Sequence, residues 1–342
     1  YIDLPYTVKG MDLAFSGLVS AARESKAPIE DICYSLQETS FAMCVEVAER
    51  ALAHAGKEEV MLVGGVGANR RLQEMMRSMC EERGAGFFVP GMKYLGDNGA
   101  MIAYTGKIML ESGYSQPLDA IQVNPSYRAD QVEVTWRDDT PATARNPVTL
   151  DDMTEARGAE AVVTLREDDV VKQRVKKGYR QPGLDRRLIA ERTRAEARLI
   201  TVSRKAGVPT PVIRDVTQDT IVMERVRGVL LREVLDAGTL AKTGQTVGKL
   251  HSAGIVHGDL TTGNIIFRDG SCVLIDFGLA QFSQELEARG VDIHVLFQTL
   301  EGITDEYPGL IEAFCAGYEE TFAGAHEVLL REQEIEKRGR YL

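Results

Sequence analysis

Apolar residues recur at helical spacing across residues 30–55, and the run stops at Gly56, a C-cap signal. The short apolar run Val60-Met61-Leu62-Val63 predicts a buried strand. It leads into Gly64-Gly65-Val66-Gly67-Ala68-Asn69 and then a helix from Arg70 to about Glu82. Phe87-Phe88-Val89 reads as the next strand, followed by a loop from Gly91 to Asp97 and a helix from Asn98 to about Glu111. Residues 138–157, rich in Pro, Thr and acids and poor in apolar residues, read as a linker. Beyond it the pattern predicts strands over 161–165 and 170–175, a helix over 186–206, strands over 212–216 and 221–225, and a helical region over 230–254. There is no internal repeat and no low-complexity tract.

This order divides the chain into an α/β unit over residues 1–137, a linker over 138–154 and an α+β unit over 155–342. A length of 342 residues accommodates two cores. Hydrophobic content of 44% and charged content of 27% are those of an ordinary globular protein. No apolar run approaches a membrane span. The opening YIDLPYTVKGMD reads as interior sequence, which predicts a piece of a longer protein. The cysteines Cys33, Cys44, Cys80, Cys272 and Cys315 form no CxxC pair, which predicts reduced thiols and a cytoplasmic protein. The net charge of −11 argues against nucleic acid as a partner of the whole surface. Residues 172–205, however, carry twelve Lys or Arg against Asp185, Glu191 and Glu196. Such a segment fits either a phosphate-rich partner or a solvated helix face.

The chemistry concentrates in VHGDLTTGNIIFRDGSCVLIDFGLA, residues 256–280. Asp259, Asn264 five residues on, and Asp276 in a DFG triplet stand in the order of a phosphoryl-transfer site. The first carboxylate takes the acceptor's proton, while the amide and the second carboxylate hold Mg²⁺ against ATP phosphates. Upstream come Lys172 for the α and β phosphates, Glu196 to orient it, and a hinge around Glu224 whose backbone would bond adenine. Lys172 could instead be a strand-surface lysine and Glu196 a helix ion-pair partner. No glycine-rich loop covers the phosphates, because only Gly158-Ala159-Glu160-Ala161 stands there. The triplet is HGD rather than HRD, and no APE follows. These departures argue against a large signalling kinase switched by activation-loop phosphorylation. Asp292 could support the catalytic turn from below or be a solvated helix carboxylate. In the first unit, Gly64, Gly65 and Asn69 form a strand-to-helix turn suited either to an anion or to tight backbone geometry alone. Asp97 could be a metal or phosphate-site carboxylate, or part of an N-cap with Asn98.

KQRVKKGYR (172–180), LDRRLIAERTRAEARLI (184–200), HGDLTTGN (257–264) and IDFGLA (275–280) resemble the Bud32 (PRPK) family of small atypical kinases. MDLAFSGL (11–18), the GGVGAN and GDNGAM segments and YRADQVEVTW (127–136) resemble the C-terminal part of the Kae1/TsaD family. The resemblance implies a partial ASKHA (actin and Hsp70-like) domain followed by a small bilobal kinase-like domain, fused as in KEOPS proteins. It implies a bifunctional role in forming N6-threonylcarbamoyladenosine beside the tRNA anticodon. One activity would be transfer of the threonylcarbamoyl group from its adenylate, the other an ATPase or Ser/Thr kinase. Asp259 would be catalytic, Asn264 and Asp276 would bind Mg²⁺, and Lys172 would hold ATP. Asn69 would contact the adenylate, and Asp97 would bind a divalent Fe or Zn ion. The implied partners are tRNA and further KEOPS subunits of the Cgi121 and Pcc1 types, with no membrane. The resemblance places the other metal ligands, two His and a Tyr, in a preceding half. His54, His251, His257, His294 and His326 supply no HxxxH. Two alternatives follow: the first unit as a docking scaffold only, or the second as a small-molecule phosphotransferase. The LTTGN continuation after HGD argues against the latter.

Overall fold

The computed structural model describes residues 1–96, 98–117, 122–123, 125–126, 134 and 155–340. Asp97, the expected linker 138–154 and most of the 127–136 motif lie outside the described residues.

The first unit opens with a two-stranded ladder, β1 (Val8–Lys9) and β2 (Asp12–Leu13), followed by helices α1 (Ser16–Glu24) and α2 (Ile29–His54). Helix α2 ends where Gly56 takes a left-handed φ of 60°, as the glycine signal implies. β3 (Glu59–Met61) pairs in parallel with β4 (Gly86–Phe88), the crossover being α3 (Arg70–Arg83). α4 (Gly99–Glu111) follows, with Asn98 as its N-cap. Val45, Leu52, Leu72, Met75, Met76, Met79 and Cys80 form the core between α2 and α3. Met61, Val63 and Phe88 are exposed, and no residue of α4 is buried.

The second unit begins with an antiparallel sheet. Its strands are β5 (Glu155–Arg157), β6 (Ala161–Leu165), β7 (Asp169–Arg174), β8 (Ile213–Val216) and β9 (Thr220–Glu224), in the order β5-β6-β7-β9-β8. Helix α5 (Pro182–Lys205) crosses it. This helix starts four residues before the expected Arg186. Gln181 caps it by accepting from Leu184 N at 2.8 Å, and Pro182 is pre-shaped for the first turn.

The expected helical region 230–254 resolves into three parts. β10 (Val229–Leu230) and a 3-10 turn precede α6 (Ala237–Ser252). Asp236 and Thr239 form a capping box, which fixes the start of α6. Below it lie β11 (Ile255–Val256), the hairpin β12 (Ile265–Arg268) and β13 (Ser271–Leu274), and β14 (Gln281–Phe282). The hairpin turns on Asp269-Gly270, both at positive φ, the two-residue Asp-Gly turn that strand twist favours. Helices α7 (Leu286–Glu301), α8 (Tyr307–Thr321) and α9 (Ala325–Arg340) complete the unit. Gly244 and Gly317 bring α6 and α8 into backbone contact, since a Cβ on either would collide with a carbonyl of the other helix. The core is built from Leu240, Val247, Leu250, Leu274, Phe277, Leu296, Phe314 and their neighbours. No described helix is long and apolar enough to cross a membrane.

Candidate functional site

Residues of like parity on a strand share a face, so Lys172 and Arg174 of β7 point together toward α5. Glu196, buried on α5, answers both. Lys172 Nζ donates to Glu196 Oε1 at 2.6 Å, and an Arg174 guanidinium nitrogen donates to Glu196 Oε2 at 2.7 Å. Lys172 Nζ also reaches Asp276 Oδ1 at 2.7 Å. Burial works to lower the pKa of Lys172, but the carboxylates of Asp276 and Glu196 override it and hold the ammonium above the ordinary lysine range. In turn the Lys172 ammonium, by its charge and its hydrogen bond, holds the Asp276 carboxyl down at about 2. Asp276 is a non-glycine residue at φ 58°, a conformation that packing must impose. It presents a side chain that is 49% exposed.

Asp259 lies on the turn after β11. The neighbouring Gly258 adopts φ 77°, and a Cβ there would collide with the Leu279 carbonyl, so this position requires glycine. Asn264 Nδ2 donates to both the backbone carbonyl and Oδ2 of Asp259, each at 2.9 Å. That commits the amide nitrogen, so only Asn264 Oδ1 could serve a cation. Burial pushes the Asp259 carboxyl above its ordinary pKa, with Asp276 adding to the shift and His257 and Asn264 opposing it.

Asp292 of α7 is buried beneath this turn. It accepts the backbone N–H of His257 at 2.6 Å and that of Gly258 at 2.7 Å. His251 Nε2 donates to it at 3.2 Å, and the Tyr318 hydroxyl lies 2.7 Å from His251 Nδ1. Of the two readings of Asp292, the geometry is that of a support. His257 Nε2 donates to the Ile275 carbonyl at 2.9 Å and so ties the turn to the strand leading to Asp276. The oxygens of Asn264 and Asp276 suit a hard cation, and the chemistry of this donor set fits Mg²⁺.

Other expected positions are occupied differently. The Gly158–Ala161 turn, closed by Gly158 N donating to Ala161 O at 2.9 Å, turns Glu160 away from solvent and into three arginines. Glu160 accepts from Arg50, from Arg174 at 2.6 Å and from Arg192 at 3.2 Å. Burial raises its pKa, and the three guanidiniums more than reverse this. At the hinge, the backbone N–H groups of Glu224 and Arg225 are taken by Val212 O and Asp168 O at 2.8 and 3.0 Å. Those two N–H groups are therefore committed within the protein, and a backbone bond to adenine would have to come from other groups of the hinge. The Glu224 side chain pairs with Arg268 at 2.5 Å and accepts from Val212 N at 3.1 Å.

In the first unit Asn69 caps α3. Its Oδ1 accepts from Arg71 N at 2.8 Å and Leu72 N at 3.3 Å, and its Nδ2 donates to Gln37 at 3.1 Å. Two N–H groups that an anion would have used are thereby taken. Gly64 and Gly65 lie in an open turn, where a Cβ would meet nothing. No group of three His, Cys, Asp or Glu among the described residues could hold a metal, and Asp97 is not among those residues.

The basic segment 172–205 has an unforeseen partner. Lys177 donates to Glu49 at 2.6 Å, Arg180 to Glu46 at 2.6 Å, and Arg192 lies 2.8 Å from Glu46. Tyr179, almost fully buried, inserts into the core of the first unit and donates to Glu49 at 3.1 Å. Gly178 N donates to Glu82 at 2.8 Å. Lys177, Arg180 and Arg192 therefore face acids of α2, while Lys176, Arg186, Arg194, Arg198, Arg204 and Lys205 remain exposed. The sequence signal was available. Glu38, Glu46 and Glu49 lie on the face of α2 that also carries Ala42, Val45 and Leu52. Acids on an apolar face call for buried cations.

Comparison with known proteins agrees with this two-unit architecture. Residues 1–104 match the TsaD family, described as tRNA N6-adenosine threonylcarbamoyltransferase. Residues 163–291 match the RIO domain family. A relative from Methanoculleus marisnigri is 66% identical over all of this chain and 64% of its own length. One from Methanospirillum hungatei is 63% identical over all of this chain and 65% of its own. Both are named probable bifunctional tRNA threonylcarbamoyladenosine biosynthesis proteins. The chain thus spans just under two thirds of the length of these curated relatives. Among solved structures, the Rio2 kinase from Chaetomium thermophilum in an ADP/Mg²⁺-phosphoaspartate complex superposes with a TM-score of 0.39 at 17% identity, over 55% of this chain and 70% of that one. That likeness is too distant to bear on the chemistry here.

Proposed function

We propose, for a chain that carries a TsaD-family domain followed by a RIO-type kinase-like domain, a role in the synthesis of threonylcarbamoyladenosine in tRNA, with a Mg²⁺-dependent ATP site in the second domain. The observation that carries the ATP site is the convergence of Lys172, Glu196 and Asp276 within 2.7 Å contacts, together with Asp259 bound to Asn264. The role in tRNA modification is supported by the names of relatives up to 66% identical.

Lys172 would hold the α and β phosphates, oriented by Glu196. Asn264 Oδ1 and Asp276 would hold Mg²⁺, whose charge neutralises that of the phosphates. Asp259 orients a water or a Ser/Thr hydroxyl in line with the γ phosphate and accepts its proton. Its burial-raised pKa makes it a better base than an exposed carboxylate. Asp292 keeps the turn in place from below. The domain boundary falls in 138–154. The other partners are tRNA, threonylcarbamoyl-adenylate and further KEOPS subunits, in the cytoplasm.

A second reading, with the first domain as a docking scaffold for the kinase, is favoured by the buried pairs of Glu46 and Glu49 with Arg180 and Lys177. Incubation of the full-length gene product with tRNA and threonylcarbamoyl-adenylate separates the two. Modified adenosine supports transfer by the first domain. Unmodified tRNA alongside intact ATP turnover supports the scaffold. Absence of both reactions contradicts the proposal.

A further inference from the structure

The ion pairs described above join end to end, from α2 of the first domain to the ATP lysine. Glu46 lies 2.8 Å from Arg192, and Arg50, itself 2.7 Å from Glu46, donates to Glu160. Arg192 also reaches Glu160, at 3.2 Å. The other oxygen of Glu160 accepts from Arg174 at 2.6 Å, and Arg174 shares Glu196 with Lys172 at 2.7 and 2.6 Å. Every side chain from Glu46 to Lys172 is at most 20% exposed, so solvent screens these pairs little.

We infer that Glu160 and Arg174 are positioning residues for the ATP lysine, and that α2 of the first domain, through Arg50 and Arg192, holds them in place. This rests on the reading of Lys172 and Glu196 as an ATP site. Arg174 is a competitor: it bonds the same carboxylate that orients Lys172. Glu160 restrains it by engaging its second guanidinium nitrogen, which leaves Glu196 Oε1 to Lys172. The turn carrying Glu160 lies where a kinase's glycine loop covers the phosphates. It is gripped twice more, by Lys177 Nζ donating to Ala159 O at 2.5 Å and by Arg83 donating to Gly158 O at 3.4 Å. Lys177 is itself paired with Glu49 of α2. The rigidity a glycine-rich loop would forgo is supplied here by the neighbouring domain.

The test is MgATP binding to the whole chain by calorimetry, with a double-mutant cycle of Glu160→Gln and Arg50→Met. Each single variant weakens MgATP binding roughly fivefold or more, and adding Arg50→Met to Glu160→Gln weakens it by less than about twofold further. Glu82→Gln, at the same interface but outside the chain of pairs, leaves binding unchanged. Two binding changes that multiply, or none at all, overturn the inference while leaving the ATP site standing. A wild-type chain that binds no MgATP overturns both. Acylation of Lys172 by an amine reagent, followed by mass spectrometry, provides a readout without nucleotide. The account expects faster labelling in Glu160→Gln than in the wild type when both are held well below their own unfolding transitions, and equal labelling contradicts it.

Discussion

Arg180 donates to Glu46 at 2.6 Å, across 134 residues of sequence, with both side chains closed to solvent. Glu46 also accepts the Tyr6 hydroxyl at 2.6 Å and serves Arg50 and Arg192. One buried carboxylate therefore balances three guanidiniums from two domains. Burial alone would raise its pKa, and the arginines more than reverse this. Glu46→Ala leaves Arg50 and Arg192 to share Glu160 alone, and Arg180 with only Asp185, in a buried interface. The expected loss of stability is about 3–5 kcal/mol, read by thermal unfolding. A loss no larger than that of a surface carboxylate would mean that the interface is wet and weak.

Asp292 supports the catalytic turn through two backbone N–H groups and His251. Asp292→Asn replaces one acceptor oxygen with a donor and leaves a buried N–H unsatisfied. A cost of roughly 1–3 kcal/mol in stability follows. Displacement of the turn that carries Asp259 should also reduce ATP turnover. Unfolding curves and single-turnover hydrolysis check the two effects separately.

The pH profile follows from the two aspartates. The Asp276 carboxyl, held at about 2, contributes its pairing above the ordinary carboxylate range and loses it only as pH falls through about 2. It does not titrate between about pH 5 and 8. Asp259 is shifted upward, so its proton is the first to return as pH falls. Turnover should therefore decline on the acid side at a pH above the ordinary Asp value of ~3.9. For stability the sign is opposite to that of a paired carboxylate: ionising Asp259 costs stability as pH rises through its raised pKa. Asp259→Asn should accordingly match or exceed the wild-type melting temperature at neutral pH. A lower melting temperature would contradict the burial argument.

Much of this was legible in residue order. The HGD turn, the Asn five residues on and DFG stand where the chain folds them together, because strands β11 to β13 and the Asp-Gly turn are all local. The role of Asp292 was only half legible, since helical periodicity does not reveal which face of α7 meets the turn. Two inward turns could not be read from residue order. Glu160 turns inward because Arg50 of α2, more than a hundred residues away, binds it, and Lys177, Arg180 and Arg192 turn inward because acids of the same helix bind them. Charge along a sequence says what must be neutralised but not by which element. Helix α5 begins early because Gln181 acts as its cap, a role Gln fills less often than Asn, Asp, Ser or Thr.

The most direct test of the account is steady-state hydrolysis of MgATP by the intact chain and by Asp259→Asn, with folding verified by circular dichroism. Removal of the proton acceptor, with Lys172, Asn264 and Asp276 in place, should lower turnover on the order of 10²- to 10⁴-fold while MgATP still binds. A folded Asp259→Asn chain that hydrolyses ATP at the wild-type rate would contradict the assignment of this site.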